Sequence, residues 1–278
     1  MALLPIRSPW QIRPGTASLR TVTRVVSRTT LCLLLLLIAA ELWVRITAPY
    51  SLGAAGLDYR TYADAARAWL TGGPFYPAFQ TIAPYQLDNF SGAVLYPPTM
   101  LVLLVPFVFL GGFLWSAIPL AILAAVIWHH RPSSAGWVVI LAFVAFSPEV
   151  QTLYWFGTPT IWIAAFVALG TLWGWPGALI LLKPAVFPFA VIGIRSRGWW
   201  ITAAIGAAVS LLFLPMWIDW IHVLLNARGP RASLLYALGD LPLLLIPVVA
   251  WVARRPEAAS LRAAPEREPS GRSLAAGH

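Results

Sequence analysis

One aspartate, Asp58, stands at the start of an amphipathic stretch, LDYRTYADAARAWLTGG, that covers residues 57–73. At 3.6 residues per turn, Tyr59 and Tyr62 share a face with small and apolar residues, while the charged side chains fall on the opposite face. The carboxylate has two compatible interpretations. It caps a helix by accepting a backbone N–H, or it acts as a general base toward a substrate at a membrane surface, with Tyr59 and Tyr62 lining that substrate.

Lys183 is the only lysine of the chain, and it lies between Leu182 and Pro184 inside an apolar segment. A cation at bilayer depth costs about 2.5 to 3.5 kcal/mol on insertion scales, so this position favours a function. The chemistry suited to it is binding of an anionic phosphate. The alternative is that its aliphatic stem lets the ammonium reach an interface.

Four further polar residues lie in regions predicted to be outside the membrane, and each has two interpretations. Glu149 pairs with Lys183 or lines a site. His222 is a general base or orients a carboxylate, against the alternative of a plain interfacial histidine. Arg228 and Arg231 bind phosphate through bidentate hydrogen bonds, or contact anionic headgroups without specificity.

Metal, cofactor and nucleic-acid sites are not predicted. His129 and His130 are adjacent rather than one helical turn apart, which is not a metal-ligand spacing. The sequence has no glycine-rich phosphate loop and no nucleophile elbow. The net charge of +9 comes from arginines at the ends of hydrophobic segments, a distribution typical of membrane orientation rather than of nucleic-acid binding.

The composition predicts an all-α polytopic membrane protein. Of the 278 residues, 59% are hydrophobic and 10% are charged, whereas soluble domains are about one quarter charged. The basic residues 1–28 and the tail 254–278 are predicted to be cytoplasmic, the tail as a disordered segment. Residues 29–253 form the membrane domain, with outer loops at 47–96 and 218–235.

If every arginine-rich segment end is cytoplasmic, the crossings number six full spans and two partial ones. The alternative is eight full spans. The apolar run 99–110 rises only about 18 Å as a helix, too little for a hydrocarbon core of about 30 Å. The run 176–194 is interrupted by Lys183-Pro184 and Pro188, so it is predicted to enter and leave on one side. The full spans are predicted at about 29–46, 112–128, 137–153, 158–173, 199–217 and 236–252.

Two short motifs carry a resemblance to a known family. Asp58-Tyr59 begins a helix that ends in Gly72-Gly73-Pro74-Phe75-Tyr76, and Tyr96-Pro97-Pro98 opens an apolar run with Pro106-Phe107. This combination resembles glycosyltransferase family 87, the polyprenyl-phosphate-mannose-dependent mannosyltransferases of the GT-C superfamily. The resemblance covers roughly residues 57–197. It extends to Gly157 and Lys183-Pro184, although the family has a Gly-Gln pair where this chain has Gly157-Thr158.

The resemblance implies a GT-C-like helix bundle with extracytoplasmic juxtamembrane helices, and a catalytic role for Asp58. The expected activity is inverting transfer of a sugar, mannose by resemblance, from a polyprenyl-phosphate donor to a glycolipid or glycan acceptor of the cell envelope. Lys183 with Arg228 or Arg231 would hold the donor phosphate, and Tyr59, Tyr62, Tyr96, Glu149 and His222 would line the substrate. Two alternatives are a carrier or flippase for lipid-linked sugars, and a non-catalytic partner of a larger envelope enzyme.

Overall fold

The fold is all-α apart from one pair of two-residue strands. The computed structural model describes residues 56–87, 92–147, 150, 156–229 and 238–254. In chain order the elements are α1 (Leu57–Leu70), α2 (Ala78–Ile82), β1 (Tyr85–Gln86), a 3₁₀ turn (Pro98–Met100), α3 (Leu101–Leu110), α4 (Gly112–His130), α5 (Ser134–Phe146), α6 (Thr160–Trp173), two 3₁₀ segments (Trp175–Leu182 and Pro184–Val191), α7 (Arg197–Leu211), α8 (Leu214–Asn226), β2 (Ala227–Arg228) and α9 (Leu241–Val252).

Helix α1 forms where its periodicity predicts it, and the predicted apolar face is the one that packs inward. Tyr62, Ala63 and Ala66 are buried. The predicted end is also confirmed, because Thr71 is the C-cap of the helix and Gly72 follows it with a φ of 88°. A left-handed glycine is a common helix stop.

The start of α1 contradicts the interpretation that Asp58 is its N-cap. The N-cap is Gly56, with a φ of 68°, and Asp58 lies inside the first turn. The cap interpretation is therefore wrong, because a glycine that adopts the left-handed conformation starts the helix two residues earlier. In the first turn a carboxylate still interacts favourably with the helix dipole.

Helix α6 is the centre of the bundle. It packs against α4, α9 and the first 3₁₀ segment, and ten of its fourteen residues are buried. A helix that is apolar on all sides lies either in a protein core or in a membrane, and the burial of α6 shows that protein neighbours surround it. The start of α6 therefore lies among side chains from several parts of the chain.

The predicted break at Lys183 is confirmed, in the form of two 3₁₀ segments that meet there. Lys183 has a φ of −126° and a ψ of 86°, outside helical values. The two segments pack on each other, and a side chain at Gly193 would lie 2.2 Å from the Gly174 carbonyl oxygen. Gly174 and Gly193, which bound the two 3₁₀ segments, are thus in contact. The chain between them folds back on itself with Lys183 at the bend, and residues 174–193 are called the folded-back segment below.

One described helix, α4, is long and apolar enough by itself to cross a bilayer. Helices α7 and α8 reach that length only as a pair, and an 89° bend separates them. The other apolar helices have 10 to 14 residues, and at 1.5 Å per residue these are shorter than a hydrocarbon core of about 30 Å. The six-span topology stays a prediction, and the first span lies outside the described residues.

The two regions predicted as outer loops meet each other. Tyr85 and Gln86 of β1 pair in parallel with Ala227 and Arg228 of β2, and the Asn226 amide donates to the Gln80 carbonyl at 3.0 Å. Elsewhere the predicted cytoplasmic ends meet as well, since the Ser133 N–H donates to the Ala253 carbonyl at 2.7 Å. Segments predicted to lie on the same side are thus in contact, and the sidedness itself stays a prediction.

Candidate functional site

A buried polar network surrounds the Lys183 ammonium. Its Nζ donates to Asp240 Oδ2 at 2.6 Å, to Thr160 Oγ1 at 2.6 Å and to the Tyr96 hydroxyl at 3.2 Å. The Lys183 side chain is 15% exposed and that of Asp240 is 5% exposed. All three N–H bonds of the ammonium therefore have acceptors, and Lys183 does not reach out to an interface as the alternative interpretation required.

Each member of the network comes from a different element. Tyr96 precedes the Pro97-Pro98 corner, whose extended backbone turns the chain into α3. Thr160 is the first residue of α6, Lys183 is at the bend between the 3₁₀ segments, and Asp240 is the residue directly before α9. The network thus joins four segments that are far apart in sequence.

The hydrogen-bond directions within the network form one consistent set. Thr160 Oγ1 donates to Asp240 Oδ1 at 3.3 Å and accepts from Lys183. The Tyr96 hydroxyl lies 3.2 Å from Thr160 Oγ1, and since Tyr96 accepts from Lys183, its own proton is available to Thr160. Among the described residues every buried side-chain nitrogen and oxygen has a hydrogen-bond partner.

Asp58 lies within electrostatic reach of this network. Desolvation by burial raises the pKa of its carboxyl from 3.8 to about 6, while a hydrogen bond from Thr158 and the charge of Lys183 act in the opposite direction. Burial therefore has the largest effect on the pKa. Thr158 itself is buried, with 5% of its surface exposed, and it lies two residues before Thr160.

Tyr59 supports the turn that presents Thr158. Its hydroxyl donates to the Phe107 carbonyl at 2.8 Å. Gly157 has a φ of 68°, and a Cβ there would lie 3.3 Å from the Tyr59 Cβ. The Gly157 carbonyl in turn accepts from the Trp115 indole at 2.6 Å. The left-handed conformation and the close tyrosine explain why glycine occupies this turn.

Tyr62 and Tyr96 are in edge-to-face contact, with ring centroids 5.2 Å apart. Both are buried. Their rings join α1 to the segment before α3, and they thereby hold the start of α1 next to the Lys183 network.

The other predicted residues are not brought into this network by the described contacts. The Arg228 guanidinium donates to the nearby carbonyls of Leu225 and Ala227, and His222 is exposed on α8. Glu149 and Arg231 lie outside the described residues, so their predicted roles stay predictions. Groups of three potential metal ligands are absent from the part of the chain that the structure describes.

Three residues of the site were missed in the sequence: Asp240, Thr158 and Thr160. Asp240 had a signal, because it is an acid directly before the apolar run of α9, just as Lys183 is a cation inside another. One interpretation of Glu149 paired it with Lys183, whereas the acid that Lys183 contacts in the described structure is Asp240. Thr158 was named only as the residue that stands where the resembled family has glutamine, and Thr160 has no comparable signal, since a hydroxyl beside an apolar helix is common.

Comparison with known proteins finds no relative of this chain. No family model matches the chain, and neither a curated protein nor a solved structure matches it significantly.

Proposed function

We propose that the protein is a membrane glycosyltransferase that moves a sugar, mannose by resemblance, from a polyprenyl-phosphate donor to a hydroxyl of a glycolipid or glycan. The observation that carries this proposal is a half-buried carboxylate, Asp58, that hydrogen-bonds Thr158 and lies within electrostatic reach of Lys183. A base and a cation within reach of each other are the two groups that this reaction requires of the protein.

In the proposed step, Asp58 takes the proton of the acceptor hydroxyl as that oxygen attacks the anomeric carbon. The bond from the anomeric carbon to the phosphate oxygen breaks, and polyprenyl phosphate leaves with the electron pair, so the configuration inverts. A carboxyl with a pKa of about 6 is largely ionised at neutral pH and is a stronger base than an ordinary aspartate.

Lys183 would stabilise the negative charge that develops on the departing phosphate through its own charge, because its three N–H bonds already have protein acceptors. Arg228 and Arg231 are proposed as further phosphate contacts, since arginine can bind phosphate with two hydrogen bonds. Tyr96 is proposed to line the site, and its contact with Lys183 supports this role. Tyr59 and Tyr62 have protein partners, which supports a role in shaping the site.

The proposed setting is the outer side of a cell membrane, with both termini in the cytoplasm and the site extracytoplasmic. The apolar helix α4 and the contact between the two predicted outer loops support this arrangement. Glu149 and His222 remain proposed as substrate-lining residues.

Transfer from labelled polyprenyl-phosphate mannose in membranes tests the proposal. The D58N variant keeps the size of the side chain and removes the base, so it is expected to reduce transfer by about 10²-fold or more. The matched control is D64N, an exposed aspartate of the same helix, which should leave transfer unchanged. Unchanged transfer in D58N would remove Asp58 from the mechanism.

The folded-back segment around Lys183 supports a second candidate, a carrier of lipid-linked sugars, because broken segments commonly line transport paths. Transbilayer movement of the labelled lipid in reconstituted vesicles tests it. Movement without transfer would favour the carrier. Absence of both from wild-type protein would favour a non-catalytic partner of another enzyme.

A further inference from the structure

Asp240 contacts Lys183 with one carboxylate oxygen and Thr160 with the other. These contacts fix the ammonium from two directions, with Tyr96 as the third acceptor. Lysine has four rotatable side-chain bonds, and without such partners its ammonium would take many positions. The geometry therefore restricts Lys183 to one place beside the start of α6.

We propose that Asp240 is a positioning residue for sugar transfer: it holds the Lys183 ammonium beside the start of α6 and offsets part of the charge that Lys183 exerts on Asp58 and on the donor phosphate. This inference rests on the proposed function. It adds to that function a residue that touches neither the acceptor hydroxyl nor the anomeric carbon.

Stability alone gives a weak reason for this ion pair. Taking two charges out of water has a large desolvation cost, and well-packed apolar residues of similar size often stabilise a protein equally well. An apolar pair in place of Lys183 and Asp240 would lack a cation held by three acceptors. A site that needs a cation at a defined position has a reason to keep Asp240.

The charge balance has a measurable effect on Asp58. Its surroundings include Thr158, which is neutral, and Lys183, whose charge favours ionisation. The other charges of α1, on Arg60, Asp64 and Arg67, belong to exposed residues. Asp240 opposes the effect of Lys183, so removing either member of the pair changes the field at Asp58 in a known direction.

The first test is the pH dependence of transfer by the purified full-length protein. The acid limb of the rate profile is the pH range over which the rate rises as Asp58 ionises. In D240N the charge of Lys183 is no longer offset by a carboxylate, so the pKa of Asp58 falls. The acid limb then moves to lower pH by about one unit. With K183M it moves to higher pH. The K183M/D240N double variant brings the limb back toward the wild-type position, although the rate stays low.

The conservative variant D240E retains the charge and should keep the limb at the wild-type pH, with a change in the KM for donor instead. D219N, an exposed aspartate of α8, is the control and should shift neither quantity. A merely structural aspartate would lower the yield of folded protein without moving the limb, and that result would overturn the proposal.

A second test does not depend on transfer. Thermal unfolding of wild type, K183M, D240N and the double variant in detergent forms a mutant cycle. We expect each single variant to unfold at a lower temperature than the double variant. Additive effects would overturn the pairing of Lys183 with Asp240. Loss of transfer in D58N together with an unshifted limb in D240N would overturn this inference and leave the proposed function standing.

Discussion

Two ion pairs of the same chemistry occupy opposite environments. Lys183 and Asp240 have side chains only 15% and 5% exposed, and they join the bend between two 3₁₀ segments to the start of α9. Arg67 and Asp64 lie one turn apart on α1 with side chains 55% and 70% exposed. Water already solvates the exposed pair, so its contact adds little. The buried pair replaces water, so each ion depends on the other.

The largest effect is expected from K183M. It leaves the Asp240 carboxylate buried without its cation, and breaking a buried pair in this way typically costs about 3 to 5 kcal/mol. Chemical unfolding in detergent measures the loss. A loss below about 1 kcal/mol would mean that Asp240 is solvated and that the two pairs are alike.

D58N is expected to have a large effect of the opposite sign, an increase in the free energy of unfolding at neutral pH. Because burial raises the pKa of Asp58 from 3.8 to about 6, the carboxyl destabilises the native protein increasingly as pH rises through that interval. A rise of the pKa from 3.8 to about 6 corresponds to about 3 kcal/mol. The stability of D58N relative to wild type should therefore be greater at pH 8 than at pH 4 by about that amount, as measured by unfolding at both values.

A smaller effect is expected from T158V, which removes the hydrogen bond to Asp58 and keeps the shape of the side chain. Since this bond lowers the pKa of the carboxyl, its loss should move the acid limb of transfer upward by about one pH unit. T158S retains the hydroxyl and should keep the wild-type limb. Identical profiles for T158V and T158S would show that Thr158 does not act on the base.

The smallest effect is expected at the exposed pair. R67M should change the free energy of unfolding by less than about 1 kcal/mol, and higher salt should reduce the difference further. The same unfolding assay as for K183M gives a direct comparison. An equal loss in R67M and K183M would show that burial does not distinguish the pairs.

Local signals in the sequence were enough to predict α1 and the break at Lys183. The 3.6-residue period and the glycines fix α1, and the prolines around Lys183 prevent a continuous helix. These features depend on neighbouring residues only. The Asp58 cap was predicted on the same basis and is wrong, because Gly56 provides an earlier start.

The partner of Lys183 could not be predicted from local signals. Asp240 lies 57 residues further along the chain, and only packing of α9 against α6 brings it to the ammonium. The bend of 89° between α7 and α8 was also missed, since a continuous apolar run from 199 to 217 favours one straight span. Tertiary contacts decide both features.

The folded-back segment places its cation through main-chain contact. A side chain at Gly177 would lie 1.9 Å from the Ile192 carbonyl oxygen, and one at Gly193 would meet Gly174. Because these closures use glycine backbone, the apolar side chains on the outside of the segment can vary without displacing Lys183. Changes to the exposed apolar surface of the segment during evolution would thus leave the Lys183 ammonium within reach of its three acceptors.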